Sequence, residues 1–297
     1  MNVIAAPIGD VETTVEISRV RALWTTIKRK PLGAASAFLI AVIVLTAIFA
    51  NVLAPYDPLD ADPTIRLARP SATHPFGTDD IGRDVFSRII YGSRISLWVG
   101  LLAVGIGTAI GMVIGLACGY WEGRLDMLLQ RVMDAVQAIP GLMLALAIVS
   151  VLKPNTTNAM LAIAVVIIPG NSRIVRGAVL SAKQDRYVEA AEAIGCRQPR
   201  ILLKHILPNV TAPILVIASI WLGNAILIEA TLSFLGVGTQ PPTPSWGLML
   251  SSTGRAFMEQ APWLAVFPGL AISLSVLAFN LFGDTLRDAW DPKLRTG

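Results

Sequence analysis

The stretch of sequence that decides the fold is YVEAAEAIGCRQPRILLKHILPN, residues 187–209. It is polar enough to lie in water, although long apolar runs flank it on both sides. Its first part has weakly apolar residues at helical spacing, namely Tyr187, Ala190, Ala191 and Ile194. This spacing predicts a short helix with one small apolar face. Gly195 then suits the left-handed position that often follows a helix C-terminus.

A second short helix is expected after this glycine, from Pro199 to Leu207. Proline is favoured in the first turn of a helix, and Pro208 is expected to end this one. The whole stretch therefore predicts two short helices hinged at Gly195. A compact helical element beside a membrane bundle suggests a docking point for a soluble partner.

The composition of the 297 residues indicates a protein embedded in a membrane. Hydrophobic residues make up 54% of the chain and charged residues only 15%, whereas soluble domains carry about 25% charged residues. The Lys and Arg residues are spread over loops and form no patch with interleaved aromatics, so nucleic-acid binding is not supported. The two cysteines, Cys118 and Cys196, are expected to be unpaired thiols.

Six apolar runs are candidates for membrane spans, each of which needs about 20 residues. The predicted spans are 32–54, 95–119, 135–152, 159–175, 213–235 and 262–283. The sequence thus divides into an N-terminal segment, residues 1–30, and a six-helix domain, residues 31–297.

The distribution of positive charge orients these spans. Most of the 24 Lys and Arg residues fall in the segments that share a side with both termini. Because positive residues favour the cytoplasmic side, both termini are predicted to be cytoplasmic. The loop 176–212 is then cytoplasmic as well, and the loop 55–94 lies on the outer, periplasmic side.

The outer loop contains a candidate helix of its own. Small polar and acidic residues precede apolar residues at helical spacing from Ile81 to Ile90, which predicts an amphipathic helix on the membrane face before span two. Its solvated and capping residues are expected to be Asp79, Asp80, Arg83 and Asp84.

Span two carries glycines at every fourth position, Gly107, Gly111, Gly115 and Gly119. Such a stripe predicts the close approach of another helix. The sequence leaves open whether that helix belongs to this chain or to a second subunit.

The sequence shows no motif for ATP binding or catalysis. It has no phosphate-binding G-x-x-x-x-G-K-[ST] loop, and His74 and His205 have no metal ligands beside them. No cofactor or metal is therefore expected on this chain, nor an enzyme activity. Glu229 is the one acid well inside a predicted span, where a carboxylate is costly. It either lines the translocation path or is hydrogen-bonded to a neighbouring helix, and both interpretations remain open.

Several stretches resemble one known family. EAAEAIG, residues 189–195, followed by ten residues and Ile206-Leu-Pro208, resembles the EAA loop signature of permease subunits of ATP-binding-cassette importers. Four further stretches are similar to the C-type permeases of dipeptide, oligopeptide and nickel importers, and they cover residues 74–97, 119–146, 229–238 and 277–295. The resemblance extends over nearly the whole chain from about Leu32.

This resemblance implies an all-α integral membrane protein with the type I importer permease fold, in which six transmembrane helices carry a cytoplasmic coupling helix. The implied function is translocation of di- or oligopeptides, or of a related small solute, across the cytoplasmic (inner) membrane. The implied partners are a second permease subunit, two cytoplasmic ATPase subunits that use the ATP, and an extracytoplasmic substrate-binding protein. The residues implied in coupling to the ATPase are Glu189, Ala190, Ala191, Gly195, Ile206 and Pro208.

A self-sufficient ion-coupled transporter or channel is the alternative. That class predicts several charges within the membrane, whereas the spans offer little beyond Glu229. It also leaves residues 187–209 without a role. An integral membrane enzyme would need a clustered catalytic set, which the sequence does not show.

Overall fold

The computed structural model describes residues 31–251 and 256–290, with side chains up to residue 288. The predicted N-terminal segment, residues 1–30, lies outside the described residues. Helices joined by loops make up the described part of the chain. The single β-type pairing within it is an isolated bridge between Thr78 and Asp84.

The helices follow the apolar runs of the sequence. In chain order they are α1 (Pro31–Ile48), α2 (Ala50–Leu53), α3 (Val85–Trp121), α4 (Gly123–Gln137), α5 (Gly141–Leu152), α6 (Thr156–Ala182), α7 (Arg186–Ala193), α8 (Gln198–Arg200), α9 (Leu207–Phe234), α10 (Trp246–Leu250) and α11 (Trp263–Trp290). A 3-10 turn lies at Pro63–Ile65, and a π-helical turn, Ile201–Ile206, joins α8 to α9. Among the described helices, five are long and apolar enough to cross a membrane, and the bent pair of α4 and α5 would make a sixth.

The third predicted span, 135–152, is not one straight helix. α4 and α5 meet at a bend of 87°. α5 alone has 12 residues, or about 18 Å at 1.5 Å per residue, which is short of a hydrocarbon core about 30 Å thick. Pro140 lies between the two helices and explains the bend, since its ring removes a backbone donor and disfavours helical geometry at Ile139.

The predicted amphipathic helix before span two is not a separate helix on the membrane face. It is the first part of α3, which runs without a break for 37 residues. Asp84 is its N-cap, because its carboxylate accepts a hydrogen bond from the backbone N–H of Ser87 at 2.7 Å. No proline lies between Val85 and Ile95, so the helix that begins here continues into the apolar run.

The glycine stripe of α3 packs against α6 of the same chain. A Cβ added at Gly115 would lie 2.6 Å from the carbonyl oxygen of Ser172 and from Cβ of Val175. A Cβ added at each of the other three glycines would lie 2.7–2.8 Å from the nearest atom of α6. The alternative left open by the sequence is thereby resolved: the two backbones approach closely because the stripe carries no side chains.

The bundle has two ends with different structures. The loop end carries residues 54–84 and 235–251, and the hairpin end carries residues 186–206, which we call the hairpin. α3 and α6 run parallel from the loop end to the hairpin end, and α9 returns to the loop end. The helices thus place the hairpin and the long loop on opposite sides of a membrane.

The loop segment 54–84 packs on the beginning of α11 at the loop end. The indole N–H of Trp263 donates to the carbonyl oxygen of Thr78 at 3.2 Å. Phe76 stacks on Phe267 with ring centroids 3.9 Å apart. Segments that are far apart in the sequence therefore stabilise each other, which their separate patterns do not indicate.

Candidate functional site

α7 has one buried and one exposed face. Val188 and Ala191 are buried against the bundle, whereas Tyr187 is 37% exposed and Ile194 is 80% exposed. Ala190 is exposed as well. The predicted apolar face is therefore divided, since Ala191 lies in the core while Tyr187, Ala190 and Ile194 form a surface that we call the exposed face. The sequence interpretation missed Val188, which shares the buried side with Ala191 at i, i+3 spacing.

The turn after α7 depends on glycine. Gly195 has φ +74°, and no atom lies within 4 Å of a Cβ added there. Its backbone N–H donates to the carbonyl oxygen of Glu192 at 2.9 Å, and that of Cys196 donates to Ala191 at 3.0 Å. These two bonds are those of a Schellman motif. The prediction of a left-handed residue at Gly195 is confirmed, and the dihedral angle, rather than lack of space, is the reason for glycine.

The second helix of the hairpin begins as predicted but does not stop at Pro208. Pro199 lies in the first turn of α8. The π-helical turn then leads directly into α9, which contains Pro208 in its own first turn. A proline ring is excluded from a regular α-helix by the carbonyl four residues earlier, here that of Lys204. The π-helical turn, which is wider than an α-helical turn, lies just before Pro208. The chain therefore continues as a helix through the proline.

The buried side of the hairpin belongs to an apolar cluster that joins it to α3, α6 and α9. Its members are Leu116, Tyr120, Val175, Val179, Ala182, Val188, Ala191, Ile201, Leu202, Ile206, Val210 and Ile214. Ile206, one of the residues implied in coupling, is fully buried here, whereas Glu189 and Pro208 are exposed. Because close-packed interiors have low compressibility, a displacement of α7 is transmitted to three long helices.

Polar contacts make a second connection between the hairpin and the bundle. The Tyr120 hydroxyl donates to the side-chain oxygen of Gln198. The Lys183 ammonium donates to the carbonyl oxygen of Tyr120 at 3.0 Å and to the carboxylate of Glu122 at 2.8 Å. The sequence interpretation missed these residues because their partners lie more than sixty positions away.

Two ion pairs hold α4 against α6 near the same end. Arg176 donates to both carboxylate oxygens of Asp126 at 2.6 Å, a bidentate geometry that is among the stronger side-chain contacts. Arg173 pairs with Asp134. Asp134 is about half exposed in this pair.

Glu229 is fully buried and hydrogen-bonded within the chain. Its carboxylate accepts from the hydroxyls of Ser233 at 2.7 Å, Ser96 at 3.2 Å and Thr239 at 3.2 Å. The backbone N–H of Thr239 donates in turn to the Ser233 hydroxyl at 2.9 Å. These bonds join α9 to α3 and to the turn that follows α9. Of the two interpretations left open, the geometry favours the carboxylate hydrogen-bonded to a neighbouring helix.

The acidic residues before α3 are not solvated as expected. Asp79 is 5% exposed and accepts from the backbone N–H groups of Ile81 and Arg83 at 3.1 and 2.9 Å. Its other oxygen lies 2.7 Å from Nε of Arg83 and 3.7 Å from Nε of Arg88. Arg88, which the sequence interpretation missed, is only 4% exposed. Asp79 and Arg88 are thus buried beside each other at the loop end in spite of their polar character.

Asp84 is also buried, although its capping role is confirmed. In addition to the Ser87 backbone, its carboxylate contacts Nδ1 of His74 at 2.9 Å. Across the residues that the structure describes, no three His, Cys, Asp or Glu side chains are grouped so that they could hold a metal ion.

Comparison with known proteins identifies similar chains over most of the length. Residues 111–296 match the family model of binding-protein-dependent transport system inner membrane components, and residues 18–70 match that of the N-terminal TM domain of oligopeptide transport permease C. The chain is 45% identical over 280 residues to the dipeptide transport system permease protein DppC of Alkalihalophilus pseudofirmus. The aligned region covers 94% of this chain and 92% of that protein. The chain is 46% identical over 273 residues to the glutathione transport system permease protein GsiD of Escherichia coli O6:K15:H31, covering 92% and 90%.

Solved structures show a similar fold at lower sequence identity. A chain of the MetNI methionine ABC transporter in an inward-facing conformation superposes with a TM-score of 0.58 at 17% identity, and the match covers 69% of this chain and 96% of that one. A second crystal form of the same transporter gives a TM-score of 0.56 at 18% identity.

Proposed function

The chain belongs to the family of binding-protein-dependent transport system inner membrane components, and from this membership we propose that it passes di- or oligopeptides across the cytoplasmic membrane while a partner ATPase supplies the energy. As a permease subunit of an ATP-binding-cassette importer it has the type I permease fold that its sequence indicated. The proposal concerns the substrate, the partners and the mechanism of coupling.

Small peptides are the proposed substrate class. The two relatives described above are named as permeases for dipeptides and for glutathione, which is itself a small peptide. Both match this chain over nine-tenths of its length. We therefore propose di- or oligopeptides as the cargo, delivered by an extracytoplasmic binding protein to a path that this subunit forms with a second, different permease.

The observation that carries the coupling proposal is the two-sided hairpin. Its exposed face, with Ile194 at 80% exposure, places apolar surface in water, whereas its other side is fixed in the core shared by α3, α6 and α9. An element that is rigidly attached yet apolar on its free side suits a groove of a soluble partner. We infer that the ATPase binds the exposed face, and that its closure on ATP moves α7 and thereby the three helices. Glu189, exposed at the first turn of α7, is available to pair with a basic residue of that partner.

Introducing a charge on the exposed face tests the docking. In Ile194→Glu, co-purification of the permease with its ATPases is expected to fall by about tenfold, the cost of one weak interface anchor. The permease itself is expected to unfold at the wild-type temperature because this side chain is largely in water. Leu59→Glu, a similar change at a residue 48% exposed in the loop end, is the matched control and leaves the complex intact. Unchanged ATPase binding in Ile194→Glu would refute the assignment of this surface.

The side of the membrane can be tested with single cysteines. In a Cys196→Ser background the remaining Cys118 is fully buried, so a new cysteine is the accessible one. In cells that express the permease without its ATPases, we expect Ile194→Cys to react with a membrane-impermeant maleimide only after permeabilisation, and Leu59→Cys to react in intact cells. The reverse pattern would place the hairpin outside the cell, where no ATP-driven partner can bind it.

The energy source separates this proposal from an ion-coupled transporter. In proteoliposomes that contain the complex and internal ATP, dipeptide uptake is expected to continue when ionophores collapse all ion gradients. Uptake that stops with the gradients and persists without ATP would favour the ion-coupled alternative.

A further inference from the structure

An apolar groove opens on the side of the bundle, between α1, α3, α9 and α11. Its volume is about 480 Å³, which lies within the range of small-molecule pockets. The described residues that line it are apolar apart from a single arginine, and they are Val44, Ala47, Ile48, Arg94, Ile95, Leu97, Trp98, Leu101, Leu222 and Phe279. None of these lining residues belongs to the hairpin or to the loop segments 54–84 and 235–251, so the inference drawn from the groove does not rest on the proposed transport function.

Arg94 lies at the mouth of this groove and at the edge of the membrane. It is the last charged residue before the charge-free run 95–119 of α3, and long basic side chains near helix ends keep their charge at the interface. Trp98, one turn further along α3, is 60% exposed. Tyr91, one turn before, lies under the guanidinium, 5.3 Å from its Cζ to the ring centroid. Aromatic residues flanking a basic one are typical of the headgroup level.

Hydrogen bonds fix the guanidinium of Arg94 in place, but they involve only some of its N–H groups. It donates from Nε to the carbonyl oxygen of Ala47, from Nη2 to that of Ile48 at 3.0 Å, and from Nη1 to Oδ1 of Asn51 at 2.8 Å. These bonds employ three of its five N–H groups. Among the residues that the structure describes, the other two N–H groups, one on each terminal nitrogen, have no hydrogen-bond partner, and they can donate to an anionic oxygen at the headgroup level. A phosphodiester fits that position, because arginine binds phosphate oxygens through its two terminal nitrogens.

The walls below Arg94 suit a hydrocarbon chain. From Arg94 to Leu101, α3 descends about 10 Å at 1.5 Å per residue, into a leaflet whose hydrocarbon part is about 15 Å deep. Over this depth the lining is aliphatic or aromatic from all four helices. We propose that the groove binds one phospholipid, with an acyl chain against Leu97, Leu101 and Leu222 and its phosphate at Arg94.

The first test measures lipid retention by the full-length permease. The protein is reconstituted in nanodiscs of phosphatidylethanolamine and phosphatidylglycerol, and bound lipid is counted by native mass spectrometry after release. Wild type is expected to retain one phospholipid. Leu101→Trp, which fills the groove without touching Arg94, is expected to lower retention by about tenfold, or about 1.4 kcal/mol. The matched control is Leu277→Trp, the same change at a residue of α11 that is 51% exposed and lies outside the groove.

The second test separates the phosphate from the tails. A diacylglycerol with the same acyl chains but no phosphate is expected to be retained about tenfold less than the phospholipid by wild type. In Arg94→Gln, which loses the charge, the two lipids are expected to bind equally. Leu101→Trp keeps the proposal falsifiable if Arg94→Gln fails to fold, because Arg94 also binds the carbonyls at the end of α1.

Three results would overturn the proposal. Equal phospholipid retention in Leu101→Trp and Leu277→Trp would show that the groove holds no lipid. Equal retention of phospholipid and diacylglycerol by wild type would remove the phosphate from the site. In the assembled importer, a photoreactive group at Leu101 that labels the partner permease instead of lipid would show that protein covers the groove.

Discussion

The two ends of the bundle are stabilised by different physical means. At the loop end, buried polar groups pair with one another: Asp79 with Arg83 and Arg88, Asp84 with His74, and Glu229 with three hydroxyls. At the hairpin end, the core is apolar, and the charged pair of Lys183 with Glu122 is one-third to one-half exposed. A buried polar network is specific in geometry and costly to disturb, whereas the contacts of an apolar core are not directional.

This difference matches the demands that the proposed function makes on each end. In that proposal, the loop end holds one shape against an extracytoplasmic receptor, and the hairpin end follows a moving ATPase. In the hairpin, stiffness comes from the Schellman turn at Gly195 and the apolar cluster, while its free side carries few polar restraints. Substitutions at the two ends are therefore expected to affect different measurements.

The largest effect is expected from Gly195→Pro, at the hairpin end. Proline fixes φ near −65° and lacks an N–H, whereas this residue has φ +74° and donates to Glu192. The turn cannot form, so we expect ATP-dependent peptide uptake to be abolished while the protein still inserts. Uptake and membrane abundance are measured together. Gly177→Ala, in the regular part of α6 with open space around it, is the control and keeps both values. Wild-type uptake by Gly195→Pro at normal abundance would refute the coupling role of the turn.

A second, smaller effect is expected from Asp79→Asn at the loop end. Removing the carboxylate leaves Arg88 buried without its nearby anion, at a cost of about 3 kcal/mol. The midpoint of thermal unfolding in detergent should fall, and added salt should change this loss little because the group is buried. Asp60→Asn, an exposed acid of the same loop, is the control. An unchanged midpoint for Asp79→Asn would mean that the buried network does not stabilise this end.

Glu229→Gln is expected to cost about 1–2 kcal/mol, because one hydroxyl donor loses its acceptor while the side-chain shape is kept. Since the carboxylate joins α9 to α3 and to the following turn, we expect membrane abundance and uptake to fall in proportion. Glu259→Gln, at an exposed acid on the same end, should change neither. If uptake were lost while abundance stayed normal, Glu229 would belong to the translocation path instead.

The smallest effect is expected from Glu122→Gln at the hairpin end. Its pair with Lys183 is about half exposed, and such pairs contribute roughly 0.2–1 kcal/mol. The unfolding midpoint should change little, and the small difference should disappear at high salt. A loss as large as that of Asp79→Asn would contradict the contrast between the two ends.

Much of the fold could be predicted because the signals are local. The apolar runs identify most spans, since the bilayer sets their length. Gly195 could be predicted because a left-handed dihedral angle is a property of one residue. The bend at Pro140 has a local cause as well, but the length of the apolar run concealed it. The course of the chain through Pro208 was predicted wrongly because a π-helical turn has no recognised sequence pattern here.

The site could be predicted only in part, for a different reason. The spacing of Tyr187, Ala190, Ala191 and Ile194 describes a helix, but not which of its sides meets the bundle. Val188, Tyr120 and Arg88 acquire their importance from contacts with residues far away in the chain. Such contacts depend on how whole helices pack, and a single sequence carries little trace of them.

By itself, the sequence determined that this protein is a bundle of membrane helices with two short helices hinged at Gly195, because hydropathy, helical period and backbone dihedral preference act over a few neighbouring residues. The tertiary structure alone decided that the glycine stripe of α3 meets α6 and that Glu229 and Asp79 are buried with partners. It also decided that the exposed face of α7 lacks Ala191, which the apolar spacing had included. Those outcomes follow from the close packing of long helices, in which side chains compete for space with groups that are distant in the chain.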